Sequence, residues 1–125
     1  MRFQEKIDNL TVETNNNLNS AKKSIENERV LHGLFYCHLV IQKILRAIVI
    51  KTTNKIPSKT LDLNILLSQS NIKLEKSEMD FIDILIKFHI QGRYPTVNPI
   101  IPDTKVGSNY ISQTENLLNS LKKNL

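Results

Sequence analysis

Apolar positions along the chain return at three- and four-residue steps, and the period-two alternation of a half-buried strand is nowhere sustained. The pattern predicts an all-α fold. Leu10, Leu18, Ala21 and Ile25 mark a first helix, whose first half is expected to fray because "TNNNLNS" is a poor helix former. A second helix is expected from about Glu28 to Thr52: Leu31, Leu34, His38, Ile41, Leu45 and Ile48 form one row, and Val30, Cys37, Ile44 and Val49 widen it. A helix apolar over so much of its circumference belongs at the centre of a bundle.

Pro57 stops that helix, and Lys59-Thr60 leads into a short one, "LDLNILLSQS". Ser77-Glu78-Met79-Asp80 has the spacing of a capping box and predicts the start of a fourth helix. Its core row is Met79, Ile82, Ile86 and His89, supported by Phe81, Leu85 and Phe88, and Gly92 is expected to end it in the left-handed conformation before Pro95. That reading leaves Arg93 and Tyr94 just past the helix. Residues 92–104, with Pro99 and Pro102, read as an extended loop; Asp103 or Thr104 then caps a last helix with an inward row of Tyr110, Thr114, Leu117 and Leu121. The expected architecture is a single-domain, up-and-down bundle of about five helices over residues 1–125, with a long central helix.

At 125 residues and 40% hydrophobic content the chain is long enough to bury one core without staples. Cys37, the single cysteine, lies among Phe35, Tyr36 and Leu39 and reads as a buried thiol in a reducing compartment. The start carries no apolar leader-like region, and no run of roughly 18 apolar residues suited to a bilayer is read from the pattern. The expectation is a cytoplasmic protein with no membrane partner. Net charge is +5, and Lys43, Arg46, Lys51, Lys55 and Lys59 fall in a stretch without an acidic residue. Such a cluster suits polyphosphates, but a solvated face is the preferred explanation, since charge by itself argues for association and not for function.

The candidate chemistry gathers in "HIQGRYPTVNP". Arg93 offers a planar fork of donors for phosphate oxygens; its alternative is a carboxylate pair, for instance with Asp103. Tyr94 suits stacking on a base or packing on the core. His89 precedes Arg93 by one helical turn, and its place in the core row, like that of His38, also fits a buried structural histidine. On another side of the second helix Arg29, His32, Tyr36, Lys43 and Arg46 form a basic and aromatic stripe; Lys43 and Arg46 complete an anion site if they share a cleft with Arg93. His32 and His38 are six apart and Cys37 has no partner cysteine, so no metal site is expected; no glycine-rich phosphate loop or serine elbow occurs, and no cofactor is expected.

The segment "LNSAKKSIENERVLHGLFYCHLVIQKILRAIV", the Pro-containing linker, "TLDLNILL", and a fourth helix closing in "GRYP" before a terminal helix resemble the HEPN domain family over residues 9–124. The resemblance implies a helical bundle, often homodimeric, that associates with nucleotide or RNA and frequently works beside a minimal nucleotidyltransferase in a toxin–antitoxin-like pair. Many relatives are metal-independent ribonucleases with an Arg followed four to six residues later by a His. Here the fifth residue after Arg93 is Asn98 and no His follows, and an amide does not take up or release a proton near neutral pH as an imidazole does. Gln42 stands where relatives often carry Glu, and Leu61 where many carry His. The resemblance thus implies a nucleotide- or RNA-phosphate-binding module using Arg93, Tyr94, Lys43 and Arg46, or a ribonuclease in which Asn98 or His89 replaces the missing His.

Overall fold

The structure is a computed structural model that describes residues 2–93 and 101–125, with side chains for residues 3–90 and 101–125. Among these residues the chain forms five helices and no strand: α1 (Arg2–Glu26), α2 (Val30–Thr53), α3 (Leu63–Ser70), α4 (Lys76–Arg93) and α5 (Thr104–Lys122). The all-α bundle expected from the sequence is the one observed. α2 is its axis, in contact with each of the other four helices, while α5 also packs on α1.

The core explains that arrangement. Leu34, Cys37, His38, Val40, Ile41, Ile44, Leu45 and Ile48 of α2 are all fully or almost fully buried, against Leu63 and Leu66 of α3, Ile82 and Leu85 of α4, and Leu117, Leu118 and Leu121 of α5. α2 is long and apolar enough to cross a bilayer by composition, with a mean hydropathy of 1.6 over 18 residues. That corrects the expectation that no such run exists. Its apolarity is used inside the protein, where 72% of that window is buried. Read from the sequence, so broad an apolar face also predicts dimerisation, on the premise that one small bundle leaves part of it bare; the covering removes that premise, since among the described residues Phe35 is the one large apolar side chain of α2 left exposed.

Helix ends depart from expectation where the cap is not the obvious residue. α1 does not fray: Ile7 and Thr14 are buried, and Thr14 returns its hydroxyl to the Leu10 carbonyl at 2.7 Å. Tertiary contact with Ala47 and Ile50 of α2 outweighs the weak propensity of "TNNN". Glu28, expected to open α2, instead closes α1 at φ 62°, with Arg29 N–H bonded to Ser24 O and Glu28 N–H to Ile25 O. That pair of bonds is a Schellman turn with Glu at the site glycine usually takes.

α4 starts at Lys76, not after Ser77. The Glu75 N–H donates to Glu78 Oε1 at 3.0 Å, so the reach-back half of a capping box is made two residues earlier than read. At its other end α4 runs through Gly92 and Arg93, so Gly92 is a helical residue here and Arg93 is the last residue of the helix. The extended loop read over 92–104 therefore overshoots at both ends, because Thr104 already belongs to α5. Asp103 does cap α5, its Oδ1 accepting from Val106 N–H at 2.9 Å.

Candidate functional site

His38 on α2 and His89 on α4 occupy facing turns of two packed helices. Both rings are driven inward by the apolar rows they sit in, and they meet face to face with centroids 3.9 Å apart and planes 10° from parallel. Phe35, one turn before His38, lies on the outer side of the stack, 5.7 Å from the His89 ring and nearly parallel to it. The result is a column of three flat rings whose last member, Phe35, reaches solvent.

Beside the column lies a cleft of ≈ 270 Å³ between α2, α3 and α4. His38 and His89 line it together with Ile86 and Ile90 of α4 and with Leu61, Asp62 and Asn64 at the start of α3. Asp62 is fixed there by its cap, accepting from Asn64 N–H at 2.9 Å. The walls are therefore mostly apolar, with one carboxylate and one amide at the rim. Burial, reinforced by the nearby His89, pulls the His38 imidazole down from 6.5 to about 3, so this ring is neutral at physiological pH. Its Nδ1 and, one turn on, the Oε1 of buried Gln42 have no hydrogen-bond partner among the described residues.

The residues singled out in the sequence do not converge on this cleft as a set. His89 does. Arg93 is placed by its backbone one turn beyond His89 at the end of α4; its side chain, and Tyr94 and Asn98 entirely, lie outside the described residues. Arg46 is eight residues from His38, about 12 Å along the α2 axis. It faces a different cleft, shared with Lys6 of α1, and donates through Nη1 to the Ser58 carbonyl at 3.3 Å. Lys43 is half-buried and, five residues from His38, sits about 140° round the helix from it. Neither Lys43 nor Arg46 lines the His38 cleft: the α-helical angle turns one away and the axial rise carries the other past it, while their grouping with Arg93 turns on a side chain outside the described residues.

The pairing of His38 with His89 escaped sequence reasoning, which held each as an isolated core histidine. The available signal was that both occupy apolar rows of the two helices richest in large aliphatic residues, and such rows face each other. Cys37 is a free, fully buried thiol held up at about 11 by burial, with a hydrogen bond to Thr114 acting weakly in the other direction. It takes no part in the cleft. Among the described residues no group of three or more His, Cys, Asp or Glu side chains gathers as a metal site would require.

The family model for the HEPN domain matches residues 10–125, nearly the whole chain. Comparison with curated proteins finds no match. Among solved structures, the crystal structure of TT1696 from Thermus thermophilus superposes with a TM-score of 0.80 at 14% identity, covering 96% of this chain and 98% of that one. At that identity the likeness is one of fold.

Proposed function

The chain belongs to the HEPN domain family, and on that premise we propose that it is a nucleotide- or RNA-phosphate-binding module in which the α2–α3–α4 cleft takes a base and Arg93 takes the phosphate. The observation that carries the reading is the His38–His89 stack. The flat, neutral His38 ring bordered by Ile86, Ile90 and Leu61 suits an aromatic ligand such as a base, and Asp62 and Asn64 suit its polar edge. Arg93, one turn on from His89, supplies the planar donor fork that phosphate oxygens require.

Binding is favoured over ribonuclease chemistry by the protonation state of His38. A general acid or base works best with a pKa near the operating pH, and His38, at about 3, is far from it. Asn98 neither accepts nor releases a proton at neutral pH, which leaves His89 as the candidate base of the alternative. Pure protein is incubated with RNA in chelator and titrated with nucleotide, beside an Arg93→Ala variant. Saturable binding that weakens at least about tenfold in the variant, without cleavage, is the expected result. Arg93-dependent cleavage would replace the proposal with the ribonuclease, and binding equal in both proteins would remove Arg93 from it.

The finer parts of the reading are a second copy of the chain and a minimal nucleotidyltransferase as partners, in a toxin–antitoxin-like pair acting in the cytoplasm. The family resemblance supports the nucleotidyltransferase pairing. Support for the second copy now comes from the exposed Phe35, Leu61, Ile65 and Ile90 near the cleft, not from α2 as a whole. Light scattering distinguishes the 14.4 kDa chain from its dimer.

A further inference from the structure

We infer a second phosphate site on this chain, in the cleft of ≈ 250 Å³ where α1, α2 and the connection into α3 meet. Three polar side chains line it: Lys6 and Asn9 from α1 and Arg46 from α2. Ile50, Ile56 and Pro57 supply its apolar wall, with Ile50 and Pro57 buried and Ile56 half exposed.

Arg46 is the anchor. Its half-buried stem and its bond to the Ser58 carbonyl hold the guanidinium at the cleft and leave its other N–H groups for a ligand. The two ion pairs among the described residues, Lys22 with Glu115 and Lys76 with Asp80, involve neither Arg46 nor Lys6. No acidic residue occurs between Lys43 and Lys59, so nothing in that stretch neutralises the cleft, and Lys51, Lys55 and Lys59 add to its field. A planar fork, a point charge on a separate helix and an amide donor, set beside an apolar wall, fit a phosphate ester whose organic part is flat or apolar. Choosing a nucleotide phosphate among such esters rests on the function proposed above; the site itself does not.

The sources to separate are a free nucleotide and a strand. Backbone and side-chain amide NMR follows titration of the chain with adenosine 5′-monophosphate and, separately, with a short single-stranded RNA. Saturable shifts are expected at the Asn9 side-chain amide and at Ile50 and Ile56. Arg46→Ala and Lys6→Ala should each weaken the interaction by about tenfold, whereas Lys51→Ala, which removes the same charge from an exposed neighbouring position, should change it less than about twofold. Equal affinity for both probes assigns the site to a nucleotide, and tighter, salt-sensitive binding of the RNA assigns it to a strand; either supports the site. Equal effects of Arg46→Ala and Lys51→Ala, or no saturable shift at Asn9 with either probe, would overturn it. Arg93→Ala should leave the Asn9 shifts intact, so failure here and failure of the α2–α3–α4 cleft are read from different residues.

Discussion

Acidifying the protein from pH 7 to 4.5 should destabilise it by about 2.5 kcal/mol through His38 alone. In the unfolded chain this imidazole titrates at its ordinary 6.5, while in the fold burial and the adjoining His89 hold it down to about 3. Between those values the unfolded state carries a proton that the native state lacks. The contribution of His38 to stability is therefore complete above 6.5, declines as pH falls at about 1.36 kcal/mol per unit, and levels off below about 3. At pH 4.5 the native ring is still neutral. The assay is urea unfolding at both pH values for the wild type and for His38→Leu. Leucine removes the titration, and its loss of ring stacking shifts both pH values alike. Asp62 on the same cleft and all other carboxylates stay in both proteins, so the comparison isolates the His38 ring together with its coupling to His89. The wild type should lose about 2.5 kcal/mol more than the variant over this interval. Parallel pH dependences would refute the buried, neutral His38, and with it the argument that this ring is unfit for acid–base work.

Two further outcomes test the packing around the α1–α2 turn. A Cβ on Gly33 would stand 2.5 Å from Ile25 Cδ1 and 3.2 Å from the Ala21 carbonyl, so Gly33→Ala should lower stability by about 1 kcal/mol even after its gain in helix propensity. In an Ile25→Ala background, which lacks both Cδ1 and the Cγ1 that would stand 2.7 Å away, the same substitution should cost clearly less; strict additivity of the two in denaturant melts would refute the contact. Glu28 holds the left-handed conformation at φ 62°, so Glu28→Gly should raise stability by about 1 kcal/mol in the same melts. A loss on that substitution would mean that the glutamate side chain stabilises the turn more than its backbone strains it.

That the protein is a helical bundle, that α2 is its axis and that the chain is HEPN-like were all legible in the order of residues. Those conclusions rest on periodicity and on local chemistry, which act within a few residues: the apolar row of α2 and the Asp103 cap, whereas α2 ends not at Pro57 but at Asn54, left-handed with its N–H on the Ile50 carbonyl. The same patterns marked His38 and His89 as inward-facing. Which inward faces meet was settled by the packing of the helices. The 3.9 Å stack depends on the axial offset between α2 and α4, and no residue near either histidine encodes that offset. The same holds for Arg46, which stands among neighbouring cations in the sequence but which packing turns toward Lys6, forty residues earlier. Helix ends fell between the two cases: Glu28 closes α1 and Glu75 opens α4, because hydrogen bonds made possible by where the next helix departs outweigh the preference for Gly or Ser at those sites. Spacing sets the face a side chain occupies, whereas only the relative placement of helices sets what that face touches.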